Sequence, residues 1–302
     1  MLRMFSGKYF VSAIVGFVSI SIVVQPAPSA ESTPIPNFSG LWGRDTLLLE
    51  PPESGPGPVA RITRKPDGTM NPTGVWIGDH TNPILKPEIA EVVRKRAELS
   101  LSGTVVPDMH NSCWPEPPPY VLGVHFGVQI LLQRDEVVLV YLLHNTVRHV
   151  RLDTSHPKNM TPSWQGHSIG QFEGDTLVVD TVGIKVAPLS TVDTLGTPHS
   201  EALHVVERYR LIDGEAAAEA QRKKGTIGNL NAYGRGDIDP DTTKRGLQVE
   251  ITVEDAGVFT TPWSARVTYR PVTGEWPEVV CAENPYFLGT GATIPTADKA
   301  DF

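Results

Sequence analysis

Gly166-His167-Ser168-Ile169-Gly170-Gln171-Phe172-Glu173-Gly174-Asp175-Thr176-Leu177-Val178-Val179-Asp180-Thr181 decides the fold. Two runs of strand-forming residues flank Glu173-Gly174-Asp175, and Gly174 supplies the positive φ that a tight hairpin turn needs. The stretch reads as a β-hairpin, with Thr176 to Val182 as the return strand. Alternation divides that strand into two faces. Leu177, Val179 and Thr181 share one; Thr176, Val178, Asp180 and Val182 share the other. An aspartate among valines stands out, because a carboxylate turned into a core must be paired or hydrogen-bonded.

The same period of two extends in both directions from the hairpin. Candidate strands are Val124 to Leu132, Glu136 to Leu143, Thr146 to Leu152, Ser168 to Phe172, Thr176 to Val182, Leu203 to Ile212, Leu247 to Glu254 and Ser264 to Arg270. Strands this close together predict a mainly β fold: an antiparallel up-and-down β-barrel of the lipocalin (calycin) kind, or a strongly curved sheet. Closure removes exposed edges. A barrel of about eight strands holds packed side chains or one small ligand. Phe38-Ser39-Gly40-Leu41-Trp42 is a further short strand candidate.

The hairpin resembles the G-H-S-x-G-x-[WF]-E-G-D-T-L-V-V-D-T signature of a large family of secreted bacterial proteins of unknown function. Other segments match in order: Cys113-Trp114-Pro115, Arg148 with Val150 and Leu152, Ser200 to Arg210, and Ile251 to Trp263. The resemblance covers residues 110 to 285. It implies a secreted, mostly β protein and no settled activity.

The remaining segments frame the barrel. Residues 1–30 read as a signal peptide: Arg3 and Lys8 precede an uncharged run from Phe10 to Val24, and Pro26-Ala27-Pro28-Ser29-Ala30 forms a small-residue cleavage zone. The expected location is periplasmic or secreted, with no stable membrane anchor after cleavage. Residues 31–109 form a proline-rich arm carrying one helix, Pro87 to Leu101. Pro87 suits its first turn, and Ile89, Val92, Val93 and Ala97 make its apolar stripe. Residues 110–290 form the barrel-like domain, and 291–302 a tail. Within the domain, 213–245 interrupts the strand pattern. Its helix-forming Glu215 to Lys224 and the polar loop after it are either a lid over one barrel mouth or a surface excursion.

Charge and cysteine count narrow the partners. The 302 residues carry a formal net charge of -8, with 27 prolines and 27 glycines. The basic residues are not clustered, so neither nucleic acid nor an anionic membrane surface is an expected partner. Oligomeric state is not legible. Cys113 and Cys281 are the only cysteines. In an exported chain they are expected to form one disulfide, stapling the start of the β region to its end, worth ~4–5 kcal/mol by loop-closure entropy.

Polar residues on otherwise apolar faces are the candidates for chemistry. Glu207 lies between Val205 and Tyr209 on one face of Leu203 to Leu211. Arg148 shares a face with Val150 and Leu152, Tyr141 with Leu139 and Leu143, and Asp180 with Val178 and Val182. Turned inward, these faces enclose Arg148, Glu207, Asp180, Tyr141 and Tyr209. Such a cluster is either a paired structural network or the lining of a pocket. His167 is the best proton-transfer candidate, because its titration range suits the task. His110 either projects into a pocket or caps a turn. His204 falls on an outward face and His199 in a turn, and both rank lower.

Metal and cofactor motifs are poorly represented. His144/His149 and His199/His204 are spaced by five, unlike the helical i, i+4 pair of zinc proteases. Asp237-Ile238-Asp239-Pro240-Asp241 lacks the glycine and the glutamate of a calcium loop, where Thr242 and Gln248 stand. Gly166-His167-Ser168-Ile169-Gly170 has G-x-S-x-G spacing without the strand-turn-helix context of a nucleophile elbow. No cofactor is expected.

Two functional classes fit. One is an acid–base enzyme of lyase, decarboxylase or isomerase type. It would act on a small, mostly apolar or aromatic molecule in the barrel, with His167 and Glu207 moving protons and Arg148 holding an anionic group. The other is a lipocalin-like binding protein. The first is favoured, since three ionisable residues on inward faces exceed what apolar binding requires. It demands that His167, Arg148 and Glu207 meet at one cavity. A structural envelope protein is a third option.

Overall fold

Runs of alternating side chains with no long helix can bury their apolar faces only by folding against one another as a sheet. In the computed structural model this sheet closes. The structure describes residues 35–44, 46–71, 75–104, 106–124, 126–142, 146–224 and 237–275. Residues 1–30, expected to be a signal peptide, Cys281 and the tail lie outside the described residues.

The strands are β1 (Gly40–Gly43), β2 (Val128–Leu132), β3 (Glu136–Tyr141), β4 (Thr146–Leu152), β5 (His167–Glu173), β6 (Thr176–Val182), β7 (His204–Ile212), β8 (Asp237–Ile238), β9 (Gly246–Glu254) and β10 (Trp263–Thr273). Nine of them follow one another as β1-β2-β3-β4-β5-β6-β7-β9-β10, and β10 pairs back to β1 through Trp42 and Pro271, which closes the barrel. The two-residue β8 is appended to β10. The short Gly40–Gly43 segment is thus the closing stave between β2 and β10.

The barrel is mixed at one seam. The pairs between β2 and β4, and from β5 round to β1, are antiparallel, but β4 and β5 run parallel, with Val150 opposite Ser168. A parallel pair cannot be joined by a tight turn, so the chain crosses over through residues 153–166. This crossover carries His156. The β5–β6 hairpin turns at Gly174 with φ 64°, as its sequence demands.

Inward positions are filled. Ile130, Val137, Val150, Val179, Val249 and Ile251 are fully buried, with no exposed surface. Gly170 also faces inward, and a Cβ there lies 2.8 Å from Val150 Cγ1 and 3.1 Å from Leu152 Cδ2. Gly170→Val is therefore expected to cost about 1–3 kcal/mol through overpacking, outweighing valine's better strand propensity. Denaturant unfolding at equilibrium measures it.

Among the described residues, three helices flank the barrel. Helix α1 (Pro87–Leu101) matches the expected span and buries Val93 and Ala97. Val93 packs where Val59, Gly78 and Leu195 meet. Val92 is 46% exposed and does not belong to the buried stripe. Helix α2 is the single buried turn Tyr120–Gly123. Helix α3 (Gly214–Lys224) buries Ala217 and Ala218, and Gln221 Nε2 donates to the carbonyls of Gly43 and Thr268 at 3.3 and 3.2 Å. The start of the 213–245 segment is thus docked on the barrel rather than projecting into solvent.

Candidate functional site

Two polar clusters form on opposite sides of the same strands. Inside the barrel, Arg148 and Glu207 meet as a forked pair. Arg148 Nη1 donates to Glu207 Oε1 at 3.0 Å and Nη2 to Oε2. Arg148 Nε donates to Ser168 Oγ at 2.9 Å and Nη2 to Thr181 Oγ1 at 2.6 Å. Tyr209 Oη donates to Glu207 Oε1 at 2.8 Å, and Tyr141 Oη closes the group 3.5 Å from Arg148 Nη1. Arg148 and Glu207 are almost inaccessible to water. Burial opposes the arginine charge, but the Glu207 carboxylate more than restores it, so the guanidinium stays ionised. Burial pushes both tyrosines up, so they stay protonated as donors. The network ties β3, β4, β5, β6 and β7 together with its charges satisfied.

His167 and Asp180 do not join it. Ser168 and Thr181 point inward, so their neighbours His167 and Asp180 point outward. The expectation that Asp180 lies inside with Val178 and Val182 is corrected: its side chain is 39% exposed. Both faces of β6 carry β-branched residues, and the face that turns inward is Leu177, Val179 and Thr181. His167, Arg148 and Glu207 therefore share no cavity, since the sheet itself separates them.

The outward side chains assemble a second cluster. His156 Nδ1 lies 2.9 Å from His167 Nδ1, and His156 Nε2 lies 3.0 Å from Asp180 Oδ1. His204 Nε2 reaches the same Oδ1 at 3.1 Å, and its Nδ1 lies 3.8 Å from Glu254 Oε2. The chain Glu254–His204–Asp180–His156–His167 thus runs across β9, β7, β6, the crossover and β5. Gly166, at φ 65°, turns the backbone into β5; a Cβ there would sit 2.7 Å from the Val182 carbonyl oxygen. The crossover is pinned beside it: Trp164 packs edge-on against Trp114 at 5.4 Å, and Gln165 Nε2 donates to the Glu116 carbonyl at 2.9 Å.

Hydrogen-bond logic sets the protons in this chain. An ionised Asp180 only accepts, so His156 carries its proton on Nε2. His156 Nδ1 is then a bare lone pair, and His167 must donate to it from Nδ1. That assigns the lone pair of His167 to Nε2, the end of the chain. Burial first, then the charge His156 carries whenever it is protonated and the charge of Arg151, hold His167 below the usual imidazole range, so it is neutral at pH 7. The arrangement is a base whose second nitrogen is backed by an imidazole and a carboxylate.

The other sequence candidates lie elsewhere. His110 stands on the loop before α2, with Nδ1 2.7 Å from Glu116 Oε1. His199 is buried, its Nδ1 3.1 Å from the Ser200 carbonyl. Asp239 in the acidic loop takes the Lys244 ammonium at 2.5 Å. The Cys113 pairing depends on Cys281, outside the described residues, as is His144. Among the described residues, no group of three or more His, Cys, Asp and Glu is placed to hold one metal ion together. Sequence reasoning misses His156, because only the path of the crossover brings it in. It places His204 outward correctly, but assigns Asp180 to the wrong side to meet it. Comparison with protein-family models, curated proteins and solved structures finds no match to this chain.

Proposed function

We propose that this is an exported acid–base enzyme that moves a proton on a small molecule, in a reaction of the isomerase or lyase type. The observation that carries this reading is the Asp180–His156–His167 chain. His167 Nε2 takes the substrate proton. Its Nδ1 proton shifts toward His156, and the positive charge comes to rest beside the Asp180 carboxylate. His204 Nε2 donates to the same carboxylate and holds it in place. Arg151, on β4 beside Ile169 of β5, acts on His167 through its charge and is placed to favour an anion formed there.

Placing the chemistry on the outer face fits the packed interior better than a lumen site does. A lipocalin-like carrier needs room where Ile130, Val150 and the Arg148–Glu207 network lie. Export rests on the N-terminal segment, on the proposed Cys113–Cys281 bridge and on the resemblance to a secreted family. That resemblance bears on location, not reaction.

The test is incubation of the purified protein with a pool of small carbonyl and aromatic metabolites in deuterium oxide, followed by mass spectrometry. A depleted compound with a new product, or with deuterium on carbon, is the expected result. His167→Ala is expected to slow it roughly 10²–10⁴-fold, the usual contribution of one positioned base. The rate should rise with pH through a pKa below the ordinary imidazole value, because only neutral His167 is a base. Full activity in His167→Ala overturns the proposal.

A further inference from the structure

We propose a second ligand site that shares no residue with the outer-face chain. A cavity between the arm and the 192–195 loop takes a small aliphatic monocarboxylate, its carboxylate on Arg61 and Thr194 and its tail over Val59, Val192 and Leu195. The cavity measures about 350 Å³ and is bounded by arm residues between 47 and 63, by Gly123 at the end of α2 and by residues 192–195, between β6 and β7. That size lies at the low end of small-molecule pockets, ~300–1,000 Å³. Val59, Val192 and Leu195 also belong to the apolar core, so the floor of the cavity is apolar. Leu48, in the wall, is held at φ 67°, a left-handed conformation that a leucine seldom takes. Its N–H donates to the Gly123 carbonyl at 2.8 Å, and its own carbonyl accepts from Arg44 Nη2 at 2.6 Å. These bonds set the wall before a ligand arrives.

The chemistry of the walls selects the ligand. Among the described residues, Arg61 and Asp193 are the only ionisable ones that line the cavity. Arg61 Nη2 donates to the Val75 carbonyl at 2.8 Å, and the guanidinium stacks on the Trp76 ring at 4.1 Å, which fixes its position. Its Nε is buried and has no acceptor among the described residues. Burial pushes Arg61 below the usual guanidinium range, and no described carboxylate offsets this. An anion in the cavity supplies the missing counter-charge. Thr194 Oγ1 is a second buried group with no partner among the described residues, and its hydroxyl can donate to the same anion. Asp193 is already engaged: its Oδ1 accepts from the N–H groups of Leu195 at 2.9 Å and Thr197 at 3.1 Å. A second carboxylate on the ligand would meet Asp193 and the apolar floor with no cation to pair it. The walls therefore fit one carboxylate and an apolar tail.

The probe is octanoate, titrated by calorimetry into the purified full chain at pH 7. Binding at one site is expected, tightening about threefold to fourfold for each methylene added between hexanoate and octanoate. Octan-1-ol, with the same tail and no charge, and octanedioate, with a second carboxylate, should each bind at least about tenfold more weakly. Arg61→Gln should weaken octanoate by at least about tenfold. Thr194→Val exchanges an unpartnered hydroxyl for a methyl group of the same shape, so it should weaken octanoate severalfold without lowering the unfolding midpoint. Ala60→Trp, which fills the cavity from an exposed position on its wall, should block binding with the unfolding midpoint unchanged. His167→Ala should bind octanoate as the parent does. No binding by the parent chain, octan-1-ol binding as tightly as octanoate, or binding that survives both Arg61→Gln and Ala60→Trp overturns the site. Binding lost in His167→Ala and kept in Arg61→Gln moves the carboxylate to the outer face and overturns it equally.

Discussion

Glu207→Ala is expected to lower the stability of the barrel by about 3–5 kcal/mol, well beyond any loss expected from a substitution on the outer face. The loss comes less from the missing carboxylate than from what it leaves behind. Arg148 is 1% exposed, and among the described residues its guanidinium keeps only Ser168, Thr181 and Tyr141 as hydrogen-bond partners. An uncompensated cation inside a low-dielectric barrel carries a desolvation penalty that neutral hydroxyls do not offset. Tyr209 Oη loses its acceptor as well. The double variant Arg148→Met with Glu207→Leu removes both charges and is expected to recover most of the loss. Equilibrium urea unfolding of the parent, of Arg148→Met, of Glu207→Leu and of the double forms a cycle that measures the coupling directly. The same double variant also separates the two faces of the sheet. If the outer chain carries the activity, the refolded double should turn over substrate at close to the parent rate. Activity abolished in a stable double variant would return the chemistry to the barrel interior.

The strands were legible because a period of two survives any topology. Thr176–Val182 and Pro87–Leu101 have the bounds the sequence predicts, and β5 differs from its expected span by one residue at each end. The direction of β5 was not legible. A parallel and an antiparallel neighbour show the same alternation, and nothing within Asp153 to Gly166 reports that the chain recrosses the barrel. The interior network was legible too, because Arg148, Glu207, Tyr141 and Tyr209 each sit on a face with an unambiguous apolar majority. Asp180 failed for the opposite reason. Val178 and Val182 make the outer face of β6 look like a core face, and Val178 is indeed only 8% exposed. Alternation says which residues travel together; closure of the barrel says which set goes in. Once Asp180 is outside, His204, already assigned there, becomes its partner, whereas His156 is known only from the fold.

Asp180→Asn is expected to reduce the proposed activity about 10²–10⁴-fold while changing stability by less than about 1 kcal/mol, because the side chain is 39% exposed. The effect runs through tautomers. Asp180 Oδ1 accepts from both His156 and His204. An asparagine offers one oxygen and one amide, so it can turn its N–H₂ toward His156. His156 then accepts at Nε2 and carries its proton on Nδ1. His167 Nδ1 becomes the acceptor across the 2.9 Å contact, and its proton moves to Nε2, where the lone pair is needed. The substrate meets a donor in place of a base. Nitrogen-15 shifts of the three imidazoles report this inversion without any substrate, and they should show His167 protonated on Nε2 in the variant and on Nδ1 in the parent. His204→Gln keeps a donor to Asp180 and should lose far less activity. Equal losses in the two variants, with unchanged tautomers, would mean that Asp180 only tethers the crossover and that His167 acts, if at all, without a relay.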